Sequence, residues 1–99
     1  VKNCHMRRSG DLAEFPDAVS ARAAKHMEEL ALMVQNGKRA VVVFCVQRMD
    51  CQRFDIARDV DPTYERAFQA ARQVGVEVLA YACNLSPQEI IVSHPIEVL

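Results

Sequence analysis

Ninety-nine residues suffice for one domain with a modest core and leave no room for a second. A hydrophobic share of 51%, a charged share of 25% and few Gly or Pro exclude the disordered, collagenous and low-complexity classes. A formal net charge of −1 excludes a global basic field, so an anionic partner has to be held by a local patch.

The chain opens with "VKNCHMRRSG". Val1-Lys2 reads as the tail of a short strand, and the stretch from Asn3 to Phe15, with no steady period, Gly10 and the pair Arg7-Arg8, reads as a loop. In "AVSARAAKHMEELALMVQNG", Ala23, Met27, Leu30, Ala31 and Val34 recur at helical spacing and predict an amphipathic helix. Ser20 or Asp17 serves as its N-cap, and Asn36-Gly37 ends it. Arg22, His26 and Met33 fall along one edge of the apolar stripe, while Lys25 and Glu29, spaced i, i+4, turn toward solvent. "RAVVVFCVQ" has the near-continuous apolar character of a strand buried on both faces.

"RMDCQRFDIARDV" is polar and irregular and predicts a surface excursion. Asp61-Pro62 then pairs an N-cap with a proline at the first helical position, and Tyr64, Ala67, Phe68, Ala71 and Val74 form a second stripe closed by Gly75. "VEVLAYACNLS" predicts another apolar strand, "PQE" a turn, and Ile96 to Leu99 a weak terminal strand. Strand, helix, strand, helix, strand is the pattern of right-handed crossovers, so an α/β domain with a mostly parallel sheet and two flanking helices is expected. There is no glycine-rich phosphate loop, which argues against a nucleotide-binding Rossmann or Walker domain. Neither a run of about 18 apolar residues nor a signal-peptide core is present, so no membrane partner is expected and the cytoplasm is the expected compartment.

Few residue patterns carry chemistry. Cys4, Cys45, Cys51 and Cys83 match no zinc spacing; Cys45 and Cys83 lie in apolar runs and read as core, and the other two have no assignment. Asp55, Asp59 and Asp61 alternate with Arg53 and Arg58 and neutralise one another. Lys2, His5, Arg7 and Arg8 form a basic stretch without an acid before Asp11, suited either to phosphate contact or to plain exposure. Arg22 and His26, at the boundary of a helix stripe, can reach water or a cleft above the sheet.

The block "FPDAVSARAAKHMEEL", taken with "VKN", "RAVVVFCVQR" and "GVEVLAYACNLS", resembles the C-terminal part of the sugar fermentation stimulation protein A family, SfsA. The resemblance implies a partial restriction-endonuclease-like core. Residues 1–99 would then be a C-terminal nuclease-like piece, with an OB-like domain and the first core strands upstream. It also implies non-specific DNA binding linked to sugar, especially maltose, metabolism. Lys2 matches the lysine of the family's E-V-K-N strand, whose glutamate would precede Val1, and Arg22, Lys25 and His26 match the helix block.

From the resemblance and the basic stretch together, Lys2, Arg7, Arg8, Arg22, Lys25 and His26 are expected to contact DNA phosphates. Phosphodiester hydrolysis needs paired carboxylates holding a divalent metal, with a lysine to stabilise developing charge. Lys2 is therefore expected to be catalytic only in an intact parent that holds Mg²⁺, and this stretch by itself is expected to hold no metal and to be inactive. A Mg²⁺-dependent nuclease and a vestigial nuclease fold used for protein interaction are the alternative functions. Exposed sheet edges add an expectation of self-association.

Overall fold

Residues 1–85 and 90–99 are described by a computed structural model. Ten elements follow in order: β1 (Lys2–Cys4), β2 (Met6–Ser9), β3 (Leu12–Phe15), α1 (Ala21–Gln35), β4 (Val41–Val46), β5 (Arg53–Ile56), α2 (Pro62–Val74), β6 (Glu77–Leu85), β7 (Ile90–Pro95) and β8 (Glu97–Val98). They form two four-stranded sheets, ordered β1-β4-β6-β7 and β2-β3-β5-β8. In the first, β1, β4 and β6 run parallel and β7 antiparallel. The α/β class with mostly parallel strands and two helices therefore holds, but in two sheets.

The helices form where the periodicity places them. In α1 Ser20 caps the first turn by accepting from the Ala23 amide, and Ala23, Ala24 and Met27 are buried. In α2 Asp61 caps by accepting from Tyr64, Pro62 opens the helix, and Gly75 ends it in the left-handed conformation, φ +113°, which a side chain would strain. Asp61 is 2% exposed and its second oxygen accepts from the Ser20 amide at 2.9 Å, so one carboxylate ties the starts of both helices together.

Both crossovers, β1 to β4 and β4 to β6, step the same way across the first sheet, which lays α1 and α2 on one face. Val42, Phe44, Val46, Ala80 and Ala82 point into that face and are buried. The second sheet closes one end of the core through Ala13, Phe54 and Ile56, with the Phe44 and Phe54 rings 4.4 Å apart. Among the described residues no helix covers the opposite face of the first sheet, so Val41 is exposed in β4, where a strand buried on both sides was expected, and Leu79 is exposed in the neighbouring β6.

Three other expectations are corrected. Residues 3–15 are not a loop, since β1, β2 and β3 occupy most of them, with Gly10 at φ +54° in the turn. The excursion after β4 contains a strand, β5, whose Arg-Phe-Asp-Ile alternates outward and inward. Antiparallel β7 precedes the expected C-terminal strand, found as β8. The turn assigned to "PQE" lies outside the described residues. Cys45 and Cys83 are buried, and so are Cys4 and Cys51; burial pushes the Cys4 thiol up to about 11, and burial with the neighbouring Cys83 pushes Cys45 up to about 12. Among the described residues no helix is long and apolar enough to cross a membrane.

Candidate functional site

Lys2 lies within β1, which continues through Asn3 to Cys4, so it does not end the strand. Its partner in register is Phe44, whose own partner is Ala80, and residues in register across parallel strands share a face. Lys2 therefore stands on the helix-covered side of the sheet, beside α1. On α1, Arg22 stands three and four residues before Lys25 and His26, and Glu29 four and three after them, so the four make one strip along the helix. Strand and strip enclose a cavity of about 600 Å³, lined by Lys2, Arg22, Lys25, His26 and Glu29, with Phe15, Ser20 and Ala23 completing the wall. The positive end of the α1 dipole, at Ser20 to Ala23, thus borders the same space.

The cleft gathers cations that have no carboxylate partner among the described residues. Arg7, Arg8, Arg39, Arg48, Arg53 and Arg58 all have carboxylate partners. Lys2, Arg22 and Lys25 have none among the described residues, nor have Lys38, Arg66 and Arg72, which stand outside the cleft, and Lys25 and Glu29, although spaced i, i+4, form no ion pair. Loss of hydration in the cleft lowers the Lys2 pKa, and the positive charge of Arg22 lowers it further. His26 is also lowered, first by loss of hydration and then by Lys2, with Glu29 opposing. Its Nδ1 is buried without a hydrogen-bond partner among the described residues.

Of the six residues expected to contact phosphate, the structure brings Lys2, Arg22, Lys25 and His26 together and leaves Arg7 and Arg8 elsewhere. Both arginines belong to β2 of the second sheet. Arg7 pairs with Asp50 at 3.1 Å and donates to the Gly10 carbonyl, and Arg8 is held by Glu14 at 2.7 Å and Asp59 at 2.6 Å. Glu29, read from sequence as solvated helix surface, is exposed and also lines the cleft. Its three-residue step from His26 is the signal that would have placed it there.

Among the described residues no group of three or more His, Cys, Asp or Glu is placed to hold a metal ion. The cleft contributes one carboxylate, Glu29, against three cations, whereas Mg²⁺ takes oxygen ligands and rejects ammonium and guanidinium neighbours. These residues fit an anion and do not fit Mg²⁺. A metal-dependent step would need carboxylates that this stretch does not bring to the cleft.

Residues 1–89 match the family model described as the sugar fermentation stimulation protein RE domain. A sugar fermentation stimulation protein homolog from Jannaschia sp. (strain CCS1) is 52% identical over 98 residues, covering 99% of this chain and 41% of that protein. A homolog from Rhodospirillum centenum is 56% identical over 90 residues, covering 91% of this chain and 39% of its own length. The structure of Pyrococcus furiosus SfsA in complex with Ca²⁺ superposes with a TM-score of 0.88 at 29% identity, over 99% of this chain and 42% of that one. The chain thus spans about two fifths of the length of the relatives it matches.

Proposed function

This chain belongs to the sugar fermentation stimulation protein family, through its RE domain, and on that premise we propose that its basic cleft holds the phosphate backbone of DNA without reading base sequence. The observation that carries this is the gathering of three cations without carboxylate partners among the described residues, Lys2, Arg22 and Lys25, in one concave site; Lys38, Arg66 and Arg72 also form no salt bridge but do not line it. Cations on a strand and a helix edge contact phosphate oxygens, which position a protein on nucleic acid but carry no base information. Arg7 and Arg8, already engaged by carboxylates, are left out of the contact set. In the full-length protein such binding would act in the cytoplasm on the expression of sugar, including maltose, metabolism.

Fluorescence anisotropy with two unrelated DNA sequences tests the reading. Arg22→Ala with Lys25→Ala should weaken binding by about tenfold or more on both, and lower the slope of log affinity against log salt by about 2, one for each lost phosphate contact. Unchanged affinity in the double variant would remove this surface.

A metal-dependent nuclease activity of the whole protein is the second reading. It is favoured by Lys2 in the cleft and by the Ca²⁺ complex of the Pyrococcus furiosus relative. A full-length relative incubated with plasmid and Mg²⁺ or Mn²⁺ should cut, and substitution of the lysine equivalent to Lys2 should abolish cutting. Equal cleavage by both proteins, or none by either, counts against it.

A further inference from the structure

Within the cleft, Lys2, Arg22 and His26 are close enough to act on one another. Arg22 and Lys2 repel, and both disfavour a proton on His26. The other charged groups facing the imidazole are Glu29 and Lys25 on α1 and the amino group of Val1, with Phe15 and Ser20 as uncharged wall. One carboxylate does not offset this excess. The cavity, about 600 Å³, has the size of single small-ligand sites, and its wall includes the N-terminal turn of α1.

We propose that Lys2, Arg22 and His26 form a subsite for a phosphate monoester dianion, such as the phosphorylated end of a nucleic-acid strand, with His26 donating a hydrogen bond to it. An internal phosphodiester carries one negative charge, whereas a terminal phosphate carries about −1.5 to −2 at pH 7 and offers three acceptor oxygens. Two negative charges relieve the repulsion between Lys2 and Arg22 and allow His26 to take up a proton. The His26 Nδ1 is closed to solvent and has no partner among the described residues, so the donor toward the ligand is Nε2. A concave site admits a strand end, while a continuous duplex spans a surface. For its source of phosphate ends the inference rests on the DNA-binding reading; the shared chemistry, a phosphate monoester, is also that of a phosphorylated sugar.

The experiment compares one single-stranded oligonucleotide with a 5′-phosphate, a 3′-phosphate or hydroxyl ends, by anisotropy from pH 6 to 8, with glucose 6-phosphate and inorganic phosphate as competitors. A phosphorylated end should bind about tenfold tighter than a hydroxyl end, the scale of an added charge-assisted hydrogen bond, and the preference should grow as the pH falls from 8 toward 6.5. His26→Gln should lose the pH dependence and Lys2→Met the preference, both with unchanged circular dichroism. Equal affinity for phosphorylated and hydroxyl ends, with DNA binding intact, overturns this inference and leaves the backbone reading standing. Saturable binding of glucose 6-phosphate or inorganic phosphate without DNA binding, lost in Lys2→Met, supports the subsite and removes DNA as its source. Binding of no phosphate probe removes both.

Discussion

Asp61 illustrates how much a single side chain decides in a small domain. Its two oxygens accept from Ser20 at 2.9 Å and Tyr64 at 3.0 Å, and these backbone donors, Ser20 first, hold its pKa below the usual carboxylate range. Asp61→Ala leaves a helix start uncapped and two amides unsatisfied, so we expect a loss of about 2 kcal/mol, or roughly 10 °C in Tm by circular dichroism. A folded pKa below the unfolded value means that the Asp61 contribution is full above about pH 4 and disappears as pH falls through the folded pKa. Acid titration of stability should therefore be shallower in Asp61→Ala than in the parent chain; identical profiles would show that the carboxylate does not supply this linkage. At the same scale, Arg7→Ala and Arg8→Ala should change DNA affinity by less than about twofold, because both guanidiniums already have carboxylate partners. A tenfold loss in either would return β2 to the contact surface.

Among the elements, length separates what the residues announce from what they conceal. The helices α1 and α2 run for 15 and 13 residues, several turns over which an apolar stripe repeats, and both caps were legible in Ser20, Asp61-Pro62 and Gly75. The strands β4 and β6 were legible as apolar runs. By contrast β1, β2, β3 and β5 are three or four residues long, too short for a period of two to stand out from chance. Met6–Ser9 shows no inward-facing apolar alternation at all, and its strand exists because β3 lies alongside it. Arg53–Ile56 does alternate, with Phe54 and Ile56 buried, yet it sits among polar residues that mask the pattern. Phe54 earns its place in the core by meeting Phe44, an encounter between two sheets.

For the molecule as a whole, one-sided crossovers have a physical consequence. The face of the first sheet away from the helices leaves Leu79 at 43% and Val92 at 59% exposed, and among the described residues β1 pairs only with β4. Sedimentation of this 99-residue chain should show association that rises with concentration, and Leu79→Lys with Val92→Lys should reduce it. A monomer at all concentrations in the parent chain would refute the expectation. The same scale decides the cleft. Spacing on α1 was enough to align Arg22, Lys25 and His26, because helical neighbours three and four apart meet whatever the rest of the chain does. It could not say which cations stay free. Arg8 is matched with Asp59 across 51 residues of chain, and Lys2 is set beside Arg22 by the pairing of β1 with β4. Local sequence therefore determined the helices, their caps and the two long strands, whose causes lie within a few residues. Tertiary structure alone decided the second sheet, the bare face and the unpaired cations of the cleft, because each depends on contacts between residues far apart in the chain.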